Sequence, residues 1–233
     1  PRWQRCPNGR PTAPSTPWKT LPRVGDGPGN HDFSVAASET LYLGNIFALR
    51  ADEVRMPGGS SARREIVEHY GAVAVVALDD DGRVVLVYQY RHPFGRRLWE
   101  LPAGLLDMGG EPPHVSAARE LEEEAGLAAE TWHTLVDLDT AAGFSDESVR
   151  VFLATGLREI GRPEAEHEEA DLVVERVALE DAVARVYSGE IVNSISVAGI
   201  LAAHAMPGID ALRAVDAPWT DRPTAFARRK GLA

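Results

Sequence analysis

The sequence has a single cysteine, Cys6, and no long apolar run. One cysteine excludes a disulfide within the chain. No stretch approaches the ~18 consecutive apolar residues of a membrane span. The N-terminal residues also lack the basic segment and apolar core of a secretory signal. These absences predict a soluble, cytoplasmic protein without a membrane partner.

Positive charge is also scarce, because 24 lysines and arginines face 35 acidic residues and the net charge is −11. Binding to nucleic acid or to an anionic membrane needs a basic surface, so the composition argues against both partners. Phosphate substrates stay compatible with this charge, because a bound cation can invert the local field. The 233 residues are otherwise ordinary in composition, and they are enough for a substantial core in one or two domains.

Residue patterning predicts four parts of the chain. Residues 1–30 contain seven prolines without apolar periodicity, which predicts a mobile arm. Apolar residues alternate with more polar ones around Phe47 and Leu49, which predicts N-terminal strands within residues 31–65. We expect the main domain over residues 66–212 and a polar C-terminal tail over residues 213–233.

The main domain mixes strand and helix patterns. Apolar runs at 72–78 and 84–90 flank the turn residues Asp81-Gly82, which predicts a β-hairpin. A helix is predicted over residues 113–125, with prolines at its start and Gly126 as its C-cap. Further strands are predicted at 132–139, 149–155 and 171–178, and further helices at about 179–188 and 193–206. This order predicts an α/β sandwich with a mixed sheet.

The helix over residues 113–125 is rich in glutamate. At ~100° per residue, Glu120 and Glu124 lie ~40° apart on one face, and Leu121 belongs to a separate apolar stripe that can dock on a sheet. A run of carboxylates usually forms a solvated surface. Alternatively it binds Mg²⁺ or Mn²⁺, which prefer oxygen ligands.

The residues around this helix resemble the Nudix box, which reads glycine, five residues, glutamate, seven residues and Arg-Glu-Leu-x-Glu-Glu-x-Gly-Leu. The nine fixed positions are filled by Gly104, Glu111, Arg119, Glu120, Leu121, Glu123, Glu124, Gly126 and Leu127. Six residues rather than five separate the first glycine from the first glutamate, so the loop before the helix holds one extra residue. This match favours the metal-binding interpretation of the helix.

Three further motifs are similar to the ADP-ribose pyrophosphatase branch of that superfamily: Gln89-Tyr90-Arg91, Trp99 to Gly104, and Gly143 to Glu147. One departure is Ala142, which precedes Gly143 where the branch has a proline. The resemblance implies a Nudix-type α/β/α sandwich with a mixed sheet, preceded by N-terminal strands. It also implies a homodimer that exchanges these strands and builds the nucleoside pocket across its interface.

The implied activity is hydrolysis of ADP-ribose to AMP and ribose 5-phosphate with Mg²⁺ (or Mn²⁺) as cofactor. Three alternatives stay open. The substrate could be another nucleoside diphosphate derivative, such as a sugar nucleotide or a dinucleoside polyphosphate. The protein could be a non-catalytic ADP-ribose sensor, or its acidic helix could be a protein-docking surface.

The resemblance also assigns roles to individual residues. The implied metal ligands are Glu120, Glu124 and the carbonyl of Ala103, with Glu123 as an auxiliary ligand. The implied general base is Glu169, with Glu168 as second candidate, in the loop 161–171. The implied substrate contacts are Arg64, Glu65, Arg91, Leu105, Ser145 and Glu147.

Other residues near the box receive supporting roles. We expect Arg119 to orient a box glutamate through an ion pair, and Glu111 to act outside the metal's ligand set. Trp99 is expected to pack beneath the box. Candidates for stacking on adenine are Tyr42, Phe47 and Trp99.

Overall fold

The computed structural model describes residues 33–163 and 172–232. Its first element is an antiparallel sheet of three strands, β1 (Ser34–Leu43), β2 (Phe47–Arg55) and β3 (Ser61–His69). The predicted strand around Phe47 is therefore confirmed as β2. Every residue of β1 is exposed. The predicted boundary between residues 65 and 66 falls inside β3.

The remaining elements follow in chain order as β4 (Ala72–Ala77), β5 (Arg83–Arg91), β6 (Arg96–Glu100), β7 (Ala103–Leu105), α1 (Pro113–Ala125), β8 (Leu127–Asp139), β9 (Ser148–Glu159), β10 (Val173–Ala178), α2 (Leu179–Ser188), α3 (Ser194–Ala205) and α4 (Ala225–Arg229). Helix α1 has the predicted bounds. At its end Gly126 adopts φ 68° and donates its N–H to the carbonyl of Glu122, as a left-handed C-cap does. Within the described residues, no helix is long and apolar enough to cross a membrane.

The central sheet has the order β7-β4-β9-β8, with β4 and β9 parallel and the other pairs antiparallel. Successive residues of β4 point to opposite faces. Val75 belongs to the core under α1 together with Leu121, and Val76 belongs to the core under α3 together with Ile200. Two helical layers therefore enclose the mixed sheet, and the predicted α/β/α sandwich is confirmed.

The predicted β-hairpin between β4 and β5 is wrong, although its turn is present. Gly82 donates its N–H to the Asp79 carbonyl at 2.9 Å, and one bridge joins Leu78 to Val84. The strands then enter different sheets, because β7 and β9 occupy both edges of β4. Strand β5 instead lies between β10 and β6 in a second sheet.

The segment predicted as a polar tail folds back onto the molecule. Helix α4 buries Phe226 completely, and its ring meets that of Tyr70 edge to face at 4.4 Å between centroids. Residues 213–219 cross the sheet, where the Arg213 carbonyl accepts a hydrogen bond from the Thr134 N–H at 3.1 Å. The polar composition of residues 213–233 did not predict that α4 packs on the protein. A single buried aromatic residue, Phe226, makes this contact, and one residue does not change the polar pattern.

Candidate active site

The short strand β7 lies against the acidic face of α1. Glu124 is only 6% exposed, and its Oε2 accepts a hydrogen bond from the Ala103 N–H at 3.0 Å. The rest of α1 is fixed by the buried side chains of Ala117 and Leu121 beneath it. The fold thus brings the Ala103 backbone and a box carboxylate together.

Gly104 explains why the box begins with glycine. A Cβ atom built on Gly104 would lie 2.0 Å from Cδ of Glu120, so the carboxylate occupies the space that a side chain would need. Any larger residue would push the carboxylate away. The glycine therefore sets where the Glu120 carboxylate sits.

Both carboxylates are poorly stabilised as anions. Burial raises the pKa of Glu124 to about 8, although the Ala103 N–H opposes the shift. Burial also raises the pKa of Glu120 to about 7, against the effect of Arg119 and with help from the neighbouring Glu123. A cation placed between the two groups would relieve both desolvation and mutual repulsion.

Arg119 joins the box carboxylates, which confirms the expected ion pair. Its Nη1 donates to Glu120 at 2.7 Å and to Glu123 at 3.0 Å, and its Nη2 reaches Glu111 at 3.3 Å. Burial opposes ionisation of Glu111, yet the hydrogen bonds from Arg119 and Ser116 outweigh it and lower the pKa of this carboxyl group. Arg119 thus orients the carboxylates of Glu120, Glu123 and Glu111 by hydrogen bonds.

The donor chemistry of this site fits a hard divalent cation. The ligands available are the oxygens of Glu120, Glu124, Glu123 and the Ala103 carbonyl, without nitrogen or sulfur. Within residues 33–163 and 172–232, no three His, Cys, Asp or Glu side chains already form a metal-binding group. Mg²⁺ typically combines one or two protein carboxylates with water and substrate phosphates.

Arg91 reaches the same site from β5. Its Nη2 donates to Oε2 of Glu100 at 2.6 Å, and Gln89 donates to the same oxygen at 3.1 Å. Glu100 is almost fully buried, and the charge of Arg91 acts on Glu124. Sequence reasoning assigned no role to Glu100. The available signal was its position two residues after the apolar Leu98 in β6, because residues two apart in a strand point to the same face.

Ser145 and Glu147 form a second group with the end of β3. Ser145 Oγ donates to the Val67 carbonyl at 3.1 Å, and Glu147 lies 3.5 Å from His69 Nδ1. Glu147 also lines a cavity of about 390 Å³ with Leu98 and the N-terminal residues of α3. The cavity therefore adjoins the face of β6 that carries Glu100.

The other predicted substrate contacts lie on β3 and β7. Arg64 and Glu65 are exposed on β3, where Arg64 donates to the Arg63 carbonyl and Glu65 pairs with the Arg63 side chain. Leu105 pairs with Ala72 within the central sheet. The candidate bases Glu168 and Glu169 lie outside the described residues, and their roles stay predictions.

The expectation that Trp99 packs beneath the box is wrong. Its ring stacks on Tyr88 at 4.7 Å between centroids, and Arg185 of α2 lies over it at 5.6 Å. Trp99 packs against the core under α3, to which Leu101, two positions further along the chain, also belongs. The other adenine candidates, Tyr42 and Phe47, have ring centroids 5.5 Å apart.

A mixed-sheet sandwich that presents one buried and one partly buried carboxylate of a box helix against a glycine-bearing strand defines a Nudix-type hydrolase. The chain belongs to this family, since the NUDIX domain model matches residues 68–192. It is 65% identical to the ADP-ribose pyrophosphatase of Mycobacterium tuberculosis (strain ATCC 25618 / H37Rv) over 201 residues, which cover 86% of this chain and 97% of that protein.

Two further likenesses agree with the family. The chain is 40% identical over 158 residues to the ADP-ribose pyrophosphatase of Bacillus subtilis (strain 168), covering 68% of this chain and 85% of that protein. The crystal structure of an ADP compounds hydrolase is similar with a TM-score of 0.65 at 18% identity, covering 76% of this chain and 95% of that chain. The latter bears on the fold alone.

Proposed function

We propose that the protein is an ADP-ribose pyrophosphatase, which hydrolyses the diphosphate of ADP-ribose to AMP and ribose 5-phosphate. The observation that carries this proposal is the 65% identity to a relative of that name over 97% of its length. The carboxylates of Glu120 and Glu124 beside β7 supply the local chemistry that such a reaction needs.

The chain's own residues would divide the work as follows. Glu120, Glu124 and the Ala103 carbonyl, with Glu123 beside them, would hold Mg²⁺ or Mn²⁺. When bound, such ions activate water and neutralise charge on a diphosphate. Arg91, which donates to Glu100, would bind a diphosphate oxygen, for which a permanently charged guanidinium is suited. Glu169, or in its place Glu168, would accept a proton from the attacking water.

Substrate recognition is proposed to involve the residues around β3. Ser145 and Glu147 would bind the terminal ribose, and the backbone of Leu105 would lie along the substrate. Arg64 and Glu65 would contact the nucleoside in the site of a partner subunit. Their exposure on β3 supports this arrangement.

We propose a homodimer formed through the N-terminal sheet. Strand β1 is exposed along its whole length, and its outward apolar side chains include Val35, Leu41, Tyr42 and Leu43. Such a strand edge is open to pairing with another chain. Sedimentation velocity of the wild type tests this directly, and a monomer at micromolar concentration would contradict it. The cytoplasmic location stays a prediction from the sequence.

The activity is tested by product analysis. Wild-type protein is incubated with ADP-ribose, NADH, a diadenosine polyphosphate and a sugar nucleotide, each with Mg²⁺ and with Mn²⁺. We expect AMP and ribose 5-phosphate to form from ADP-ribose with the highest kcat/KM. Preference for another compound would correct the substrate, whereas tight ADP-ribose binding without products with either metal would identify a sensor.

A further inference from the structure

The C-terminal segment 224–232 contacts both the N-terminal sheet and the loop before the box helix. Arg229 Nη1 donates to Thr40 Oγ1 of β1 at 2.9 Å, and Lys230 Nζ donates to the Gly44 carbonyl at 3.2 Å. At the other end, a Cβ built on Gly109 would lie 2.9 Å from the Leu232 carbonyl oxygen. Segment 224–232 therefore connects the N-terminal sheet, which is proposed to form the dimer, with the loop before the box helix, which is proposed to hold the metal.

The main polar contact of this segment is with Glu68 of β3. Glu68 is 1% exposed and receives hydrogen bonds from both Arg50 and Arg229, with Arg229 Nη2 at 3.1 Å from Oε1. Arg50 is shared with the buried carboxylate of Asp52, at 3.0 Å. Without Arg229, one arginine would have to balance two carboxylates, which is costly because Glu68 and Asp52 are both buried.

Glu68 lies in a strand that connects the predicted recognition residues. Arg64 and Glu65 precede it on β3. Its neighbour Val67 donates its N–H to the Phe144 carbonyl at 2.7 Å and accepts from Asp146 at 3.1 Å. The turn that contains Ser145 and Glu147 is thereby attached to the end of β3. A shift of β3 would therefore displace both groups together.

The box carboxylates are fixed independently of this strand. Helix α1 packs on the central sheet through Ala117, Leu121 and Ala125, and Glu124 is bound to β7. A change at Arg229 therefore acts on recognition without moving the carboxylates that would hold the metal.

We infer that Arg229 is a positioning residue for substrate binding, which acts by holding β3 and the attached turn 144–147 against the box loop. This inference rests on the proposed function. It assigns to α4 a task in the reaction rather than in folding alone. Because the groups it positions bind the non-reacting parts of the substrate, its loss should raise KM while kcat is preserved.

The test compares Arg229→Ala with Arg228→Ala, in which the neighbouring exposed arginine that bonds to Thr224 is removed. Steady-state rates are measured with ADP-ribose at saturating Mg²⁺, together with the melting temperature of each variant. For Arg229→Ala we expect KM to rise about tenfold, equivalent to ~1.4 kcal/mol, with kcat near the wild-type value. Arg228→Ala should keep both constants, and Arg229→Lys should recover most of the lost affinity.

Other outcomes overturn the inference. A purely structural role predicts that apparent kcat falls with the folded fraction while KM stays constant. A folded Arg229→Ala variant with the wild-type KM would also overturn the inference. If Arg229→Ala does not fold, the same KM and kcat comparison is made with Arg229→Gln, which keeps the aliphatic stem and an amide hydrogen-bond donor.

Failure of the proposed function can be told apart. If the wild type leaves ADP-ribose intact, that function is wrong, and the same comparison is made with the nucleoside diphosphate derivative that the wild type cleaves. If the wild type cleaves ADP-ribose and Arg229→Ala keeps the wild-type KM, only the role of Arg229 is wrong.

Discussion

Glu124 is the box carboxylate with the most buried position, and its replacement by glutamine tests the metal site most directly. We expect Glu124→Gln to lower kcat/KM more than 100-fold, because altering groups that merely support metal ligands already costs about 10–100-fold. The metal-free variant should melt at the same or a higher temperature than metal-free wild type, since the cost of burying this carboxyl group, which raises its pKa, is gone. Rates across a Mg²⁺ titration and melting curves in chelator measure both effects.

Glu122→Gln is the matched control for this change. Glu122 lies on the same helix but is exposed to solvent. The Glu122→Gln variant should keep wild-type rates at every Mg²⁺ concentration. Near-normal rates of Glu124→Gln at limiting Mg²⁺ would remove Glu124 from the ligand set.

The general base is predicted within the loop 161–171, and two neighbouring glutamates there can be compared. Glu169→Gln should lower kcat about 10²–10⁴-fold, the usual contribution of a general base, with a smaller effect on KM. Glu168→Gln should lose less, because neighbours in an extended segment point to opposite sides. Rates at saturating ADP-ribose and Mg²⁺ separate the two. A larger loss in Glu168→Gln would exchange their roles, and a loss below tenfold in both would place the base elsewhere, with Glu147 and Glu123 next to be tested.

At the scale of the elements, an ion-pair network attaches residues 213–219 to β8 and β9. Arg150 is nearly buried and donates to Asp137 at 2.7 Å and to the Ala217 carbonyl at 2.6 Å, and Arg213 reaches Asp137 at 2.7 Å. Burial opposes ionisation of Asp137, but the two arginines outweigh it and lower the pKa of this carboxyl group. The network therefore stabilises the fold only while Asp137 is ionised.

Asp137→Asn should consequently lower stability in a pH-dependent manner. A carboxyl group whose pKa is lower in the folded state stabilises the protein above its unfolded pKa of about 3.9, and this stability is lost as pH falls further. We expect a loss of about 1–3 kcal/mol at pH 7, and a difference from wild type that shrinks below pH ~4. Melting temperatures from pH 7 to 3 check this, with the exposed Asp139→Asn as control. A constant difference over that range would exclude the linkage.

At the scale of the whole molecule, the N-terminal sheet and the main body are expected to need each other. Deleting residues 1–30 should leave kcat/KM unchanged, because that segment has no apolar periodicity. Deleting residues 1–60 should abolish activity, because it removes β1 and β2 and with them Arg50, one of the two partners of Glu68. Activity assays with sedimentation velocity test both truncations. An active monomer after the longer deletion would contradict the shared-site dimer.

The sequence predicted those parts of the fold that depend on neighbouring residues. The bounds of α1 follow from its prolines, its apolar stripe and Gly126, all within one short segment. The partner of β4 could not be predicted in this way, because its parallel neighbour β9 lies more than seventy positions away, with Val73 opposite Arg150. Choice of strand partner depends on how the whole core closes.

The same distinction applies to the site. The box residues lie at fixed spacings within one segment, residues 104–127, so one pattern predicted both the carboxylates and Arg119. The contact of Glu100 with Arg91 depends on the register between β5 and β6. The contact of Glu68 with Arg229 joins segments that are 161 residues apart, and no local pattern indicates it. Trp99 was misplaced for a related reason: its motif neighbours the box in sequence, while alternation along β6 turns it to the opposite face.

The contact of α4 with β3 also sets an order of events during synthesis. Arg229 and Glu68 are separated by 161 residues. At the ribosome's pace of ~5–20 residues per second, roughly 8–30 s pass between the emergence of the two partners. Throughout that interval the nascent N-terminal sheet has Arg50 alone against two carboxylates, and Tyr70 has no aromatic cover. The strands that are translated first are thus completed last, and a nascent chain stalled before α4 would present this unfinished surface to chaperones and proteases.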